Sequence, residues 1–244
     1  MDDLFLPDGY RENSPVSTDA DDRPYWDVQP TALQISRQEP VYRMAAELAG
    51  RYRPRSIVDV GCGTGHKLVR HLGGMAPRVV GVDQASAIDV ARRIGPDREW
   101  LEGDIELDGA LWEQLAAIEP ELAVCVDVIE HVAAPLVLLE RLREMLHPSG
   151  RLVLSTPDRQ QFERDGAPPL GPPRNERHIR EWAEPELTGL VTSNGFRLVE
   201  VRHLLPRKYF LAPWELRRLL GRLRRGLAVP DRRSCMVLLL EPTA

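Results

Sequence analysis

The residues best placed to do chemistry begin at Ser56-Ile57-Val58-Asp59-Val60-Gly61-Cys62-Gly63-Thr64-Gly65-His66-Lys67-Leu68. There an apolar run passes straight into three glycines spaced by two. Glycine accepts positive φ, and without a Cβ it lets a ligand approach the backbone. A helix that starts behind such a turn presents N–H groups with no partner inside the helix. Two more acids follow apolar runs: Asp83 after Arg78-Val79-Val80-Gly81-Val82, and Asp104 after Trp100-Leu101-Glu102-Gly103. A carboxylate offers two oxygens, so Asp83 can accept both hydroxyls of a ribose, and Asp104 can accept an exocyclic amine of adenine. Taken singly, each acid is more often a turn or cap residue. Three such positions behind three successive strands form a ligand-facing constellation at the crevice of an open α/β sheet. The order Asp-x-Gly-x-Gly-x-Gly differs from the Gly-x-Gly-x-x-Gly spacing of dinucleotide sites, which disfavours a nicotinamide oxidoreductase.

A second set of reactive types lies downstream. Ala123-Val124-Cys125-Val126-Asp127-Val128-Ile129-Glu130-His131-Val132 brings one imidazole to the end of another apolar run. Imidazole suits general-base work near neutral pH. The stretch Gly171-Pro172-Pro173-Arg174-Asn175-Glu176-Arg177-His178-Ile179-Arg180-Glu181-Trp182 supplies a second base candidate, His178. Its prolines restrict the backbone. Arg174, Arg177 and Arg180 can hold an anionic acceptor such as a phosphate or carboxylate. The plain alternative is a solvated loop leading into a helix.

These residues need elements to hold them. Apolar runs at 56–60, 78–82, 122–128 and 152–155 alternate with helical patterns near 65–73, 86–94, 109–118 and 134–146. Near-continuous apolar strands separated by helices argue for an α/β fold with a parallel sheet covered on both faces. Residues 1–37 read as an irregular arm, with Pro40 in the first turn of a helix running to Arg51. The segment 157–185 reads as a long loop. A helix near 185–193, a strand at 196–204, a basic helix near 213–226 and a strand at 235–240 close the chain.

The 244 residues are 43% hydrophobic and 28% charged, which excludes a disordered chain and fits one domain with extensions. No apolar run reaches the ~18 residues of a membrane span. Three separated cysteines offer neither a disulfide framework nor a paired-Cys zinc site, and suit a reducing cytoplasm. Eight acids stand against two arginines in the first thirty residues, and ten basic residues lie in 202–233. That asymmetry reads first as internal complementarity, and second as a membrane or partner contact. With a net charge of −5 and no aromatic-interleaved basic strand, nucleic acid is not an expected partner.

With this order of elements, Asp59-Val60-Gly61-Cys62-Gly63-Thr64-Gly65 resembles the first motif of the class I S-adenosylmethionine-dependent methyltransferases, over roughly residues 40–200. The resemblance implies a Rossmann-like seven-stranded sheet whose last strand is antiparallel. It implies S-adenosyl-L-methionine as methyl donor, with Asp59, Gly61, Cys62, Gly63 and Gly65 around its methionine part, Asp83 on its ribose, and Asp104 and Ile105 on its adenine. Asp127 is counted with these cofactor-binding residues. Glu130-His131-Val132 is similar to a segment of small-molecule O-methyltransferases akin to the ubiquinone-pathway enzymes. His178-Ile179-Arg180-Glu181-Trp182 resembles a stretch of bacterial enzymes that modify sugars and natural products. Asp127, Glu130 and His131 also resemble a divalent-metal triplet of some ubiquinone-type relatives, but that spacing is equally an ordinary strand-to-helix turn, and no metal is expected. The expectation is a domain over 38–244 with an acceptor loop at 157–185 and a helical lid at 207–233. It would methylate a small-molecule acceptor, most simply a sugar-containing or natural-product hydroxyl, with His131 and His178 as candidate bases. A non-catalytic cofactor-binding subunit and N- or C-methylation are the alternatives.

Overall fold

The structure, a computed structural model, describes residues 2–15, 32–162, 168–204 and 235–243. The basic helix and the lid expected at 207–233 lie outside the described residues.

Seven strands form one sheet: β1 Ser56–Val60, β2 Arg78–Asp83, β3 Glu99–Glu102, β4 Leu122–Val126, β5 Arg151–Pro157, β6 Phe196–Leu204 and β7 Cys235–Pro242. Their spatial order is β3-β2-β1-β4-β5-β7-β6. β1 to β5 pair in parallel, and β7 runs antiparallel to both β5 and β6, so six strands point one way and the last opposes them. The central strands are apolar throughout because both faces are covered: every residue of β1 and β4 is buried. Side chains alternate across the sheet. Val58 and Val60 enter one core, with Leu139, Leu142 and Leu187. Ile57 enters the other, with Val41, Tyr42 and Ala45. Asp59 therefore shares the Ile57 face and points toward Tyr42.

The helices are α1 Ala32–Tyr52, α2 Ala85–Ile94, α3 Gly109–Ala116, α4 Pro135–Met145 and α5 Glu184–Ser193. Local chemistry sets their starts. The Asp108 side chain accepts the Leu111 N–H at the head of α3, and Pro135 occupies the first turn of α4. One expectation changes. α1 begins at Ala32 with Pro40 inside it, so the expected boundary at 37/38 falls within the helix. The helix read near 65–73 is present over 66–72, with its later part, Leu68–Leu72, wound as a π-helical turn and the Val69 N–H on the Gly65 carbonyl. Residues 2–15 are irregular but not loose, since Leu6 and Tyr10 belong to the core.

Because β1 to β5 are parallel, their carboxyl ends share one edge of the sheet. The glycine turn, Asp83, Asp104 and Asp127 all follow strands at that edge.

Candidate active site

Gly61, Gly63 and Gly65 have φ of 76°, 56° and 70°. Packing also demands glycine: a Cβ on Gly61 would meet Val128 Cγ2 at 2.3 Å, and one on Gly65 would meet Trp100 Cη2 at 2.2 Å. Gly65→Ala is expected to cost about 2–4 kcal/mol, from left-handed backbone strain plus overpacking. Thermal unfolding reads that as a midpoint lower by roughly 5–15 °C. The turn is less open than its sequence suggests. The N–H groups of Gly61 and Cys62 donate to Val82 O at 2.8 and 3.0 Å, and Gly65 N–H donates to Cys62 O. The Cys62 side chain is buried in the core, so only its backbone can border a ligand.

Asp83 holds the turn from β2. Its Oδ2 accepts the Gly63 N–H at 2.7 Å and its Oδ1 accepts the Gln84 N–H at 2.8 Å. Burial raises its pKa, and those two N–H groups oppose the rise. Each oxygen keeps a further lone pair for a hydroxyl. Asp59 is fully buried, and Tyr42 donates to its Oδ2 at 2.8 Å. Its Oδ1 has no partner. Burial pushes its carboxyl up to about 7, with Tyr42 and Lys67 pulling it down. An orphaned carboxylate oxygen beneath a glycine turn fits an ammonium group, which would draw that pKa back. Asp104 spends Oδ1 on the N–H groups of Glu106 and Leu107, and Ile105 O accepts the Trp112 indole N–H at 2.9 Å. Asp127, at φ 54°, accepts from Gln38 on α1 at 3.0 Å and from Ser155 on β5 at 2.9 Å.

Beyond Asp127 lies a cluster of titratable groups. His131 Nδ1 sits 2.8 Å from Arg177 O. A carbonyl only accepts, so Nδ1 carries the hydrogen and Nε2 keeps its lone pair. His178 Nδ1 lies 2.6 Å from Glu181 Oε1. The two imidazoles meet edge to face, with centroids 4.7 Å apart. Burial lowers the His131 pKa, and the neighbouring His178 lowers it further. Arg177 O and Asp127 act the other way. Glu130 is fully buried beneath them, with Oε2 accepting from Thr156 at 2.9 Å and Oε1 unpartnered. Burial, then Asp127, raises its pKa well above the carboxylate range. Among the described residues, ligand-type atoms of Glu130, His131 and His178 lie within 4.8 Å of one another. The triplet Asp127–Glu130–His131 is not what the fold assembles: among the described residues the converging set contains His178 and not Asp127.

The methyltransferase domain family matches residues 35–201. This chain is a methyltransferase of that family. It is an enzyme that uses S-adenosylmethionine as methyl donor, and the crevice fits that molecule through the orphaned Asp59 oxygen, the glycine turn and the Asp83 carboxylate. The ubiquinone biosynthesis O-methyltransferase of Xanthomonas euvesicatoria is 25% identical over 207 residues, covering 79% of this chain and 82% of that enzyme. The enzyme of the same name from Paraburkholderia phytofirmans is 26% identical over 141 residues, and the match spans 58% of its length. A Haloferax volcanii chain solved in complex with the Trm112 methyltransferase activator superposes with a TM-score of 0.63 at 15% identity, covering 92% of this chain and 97% of that one.

The three arginines of the methyltransferase loop do not converge. Arg180 was expected on the acceptor, but it is 4% exposed and fully engaged. Its guanidinium binds Glu12 at 2.6 Å and the carbonyls of Val132 and Ala133. Arg177 serves His131 through its backbone. Arg174 lines a cavity of about 170 Å³ with Tyr10, Arg159 and Glu181. Glu181 was missed as a site residue, although the spacing His-x-x-Glu was legible. Tyr10, Asn13 and Gln38 carried no signal, since nothing in the sequence joins them to residues more than 80 positions away. Among the described residues, no helix is long and apolar enough to cross a membrane.

Proposed function

We propose that this methyltransferase moves a methyl group onto a hydroxyl of a small, oxygen-rich acceptor, a sugar-containing or natural-product metabolite, with His131 as general base. The observation that carries this reading is the His131 tautomer: Arg177 O holds the Nδ1 hydrogen, so Nε2 keeps its lone pair, at the carboxyl end of β4. S-adenosylmethionine, when bound, supplies the methyl group from a sulfonium whose sulfide departs readily. What remains for the protein is to place the hydroxyl and take its proton. Nε2 accepts that proton, Arg177 O and the Asp127 carboxylate favour the resulting imidazolium, and the exposed face of His131 returns the proton to water. His178, held by Glu181, packs edge to face against His131. Asp59, Asp83 and the glycine turn hold the donor, and Asp104 with Ile105 borders its adenine.

The O-methyltransferase names of the curated relatives favour a hydroxyl over an amine or carbon acceptor. The scarcity of lysine, present only at Lys67 and Lys208, favours a bacterial secondary pathway. The three cysteines are free and buried, which suits a cytoplasmic location. Arg174, which lines the cavity with Glu181, is the arginine assigned here to an acidic group of the acceptor.

S-adenosylhomocysteine at about 100 times its Kd is expected to stabilise the fold by about 2.7 kcal/mol, raising the unfolding midpoint by several degrees, while NAD leaves it unmoved. Incubation with S-adenosylmethionine and a panel of phenolic and sugar acceptors should yield products heavier by one methyl on oxygen. Stabilisation by NAD alone would end this reading. Methylation confined to amine acceptors would remove the hydroxyl assignment.

A further inference from the structure

The segment from Leu4 to Asn13 and the segment from Leu170 to Trp182 are far apart in sequence but joined along their lengths. Arg11 N–H donates to Leu170 O at 2.7 Å, and Asn13 N–H donates to Ile179 O at 2.9 Å. The Trp182 indole donates to Leu4 O at 3.0 Å, and Glu12 binds the Arg180 guanidinium. Two contacts fall directly on the His178–Glu181 pair. The Asn13 side-chain amide donates to the carbonyls of Pro173, Asn175 and His178 at 3.1, 3.2 and 2.9 Å. Tyr10 Oη accepts the Glu181 N–H at 2.9 Å, with its ring buried in the core.

The need for such anchors is physical. His178 and Glu181 are three residues apart, a spacing an α-helix would set by itself. Here the chain between them is irregular, with one turn bond from His178 N–H to Asn175 O. Nothing in regular secondary structure holds the 2.6 Å contact between the imidazole and the carboxylate. The backbones of both residues are held from the amino-terminal arm, beside Ile179 N–H on Glu130 O at 2.8 Å, and a misplacement near 1 Å at such a site costs on the order of 100-fold in rate.

We propose that the amino-terminal arm is a positioning part of the active site, with Tyr10 and Asn13 fixing the His178–Glu181 pair and, through the ring contact, the surroundings of His131. This rests on the reading of the two histidines as the proton-handling site. The groups facing His131 are His178 and Arg177 from the loop, and Asp127 and Glu130 from the β4 end.

The test is NMR titration of the imidazoles in the full chain, which needs no acceptor. Loosening the pair relaxes both the packing and the like charge that hold the His131 pKa down. Tyr10→Phe and Asn13→Ala are therefore each expected to raise the His131 titration midpoint by roughly half a pH unit. Phe5→Ala is the control. It sits on the same arm, against Gly189 of α5, and should leave the midpoint unmoved whatever it does to stability. Folded Tyr10→Phe and Asn13→Ala variants with the parent titration curve would overturn the proposal. So would an equal shift in Phe5→Ala, which would make the arm a general structural prop. A shift confined to Tyr10→Phe and Asn13→Ala, alongside normal turnover in His131→Ala, would sustain the positioning and discard the base assignment instead.

Discussion

Replacing His131 with alanine lowers turnover by ~10²- to 10⁴-fold, the usual contribution of a placed general base, while S-adenosylhomocysteine binds as it does to the parent. The two readouts separate because the side chain proposed to take the proton is not one of those proposed to hold the donor. His131 follows β4, whereas Asp59, Asp83 and the glycine turn lie on β1 and β2. The parent enzyme should also show the sign of the His131 environment. Imidazole acts as a base only when neutral, so kcat/KM rises with pH through its pKa. Burial and His178 depress that pKa, so the acid limb falls below the ordinary value of ~6.5, and activity persists into mildly acidic solution. In His131→Ala that limb disappears from the residual rate. Unchanged turnover in the variant, or a parent limb above 6.5, would show that the proton leaves by another route. His178, with its carboxylate partner at 2.6 Å, is then the first place to look.

The sequence made the glycine turn and the acids at the strand ends legible and left the contacts of the loop near them hidden, for a physical reason. Those groups are local: a strand, a turn and an acid two residues from a glycine are adjacent in the chain, and an acid again ends β2. The place of Asp59, Gly61, Gly63, Gly65 and Asp83 at one edge of a parallel sheet could therefore be read before the fold was seen, whereas the strand order could not. What could not be read were contacts that span the chain. The arm looked irregular because its order comes from loop carbonyls, not from its own periodicity: Asn13 serves three of them at once. Arg180 looked like an anion binder because its spacing matches Arg174 and Arg177. Its partner, Glu12, lies 168 residues earlier. Pro40 suggested a helix start, yet α1 continues upstream to Ala32. Gln38, on that earlier part, is what reaches Asp127. The free N–H groups expected of the glycine turn are mostly spent, because the turn folds back on Val82 O before any helix begins.

That last point makes Asp83 more consequential than a ribose acceptor alone. In Asp83→Ala, S-adenosylhomocysteine is expected to bind ~30- to 1,000-fold more weakly, equivalent to ~2–4 kcal/mol. The loss has two sources. One is direct: a carboxylate accepting hydroxyl donors makes hydrogen bonds of about 1.5–3 kcal/mol each, and they do not add fully. The other is preorganisation, since Gly63 and Gln84 lose the oxygens that hold the turn in place. Asp83→Asn separates them. Its single carbonyl oxygen can keep one of those N–H groups but must turn an N–H₂ toward the other, so the turn is partly held and the charge is lost. Isothermal titration should therefore rank affinity as parent above Asp83→Asn above Asp83→Ala. The unfolding midpoint without ligand should fall in the same order, because the turn's anchor is also part of the fold. If Asp83→Ala bound the nucleoside with parental affinity, the carboxylate would be only a turn anchor. The ribose would have to be held by Glu102, the acid paired with Asp83 on the next strand.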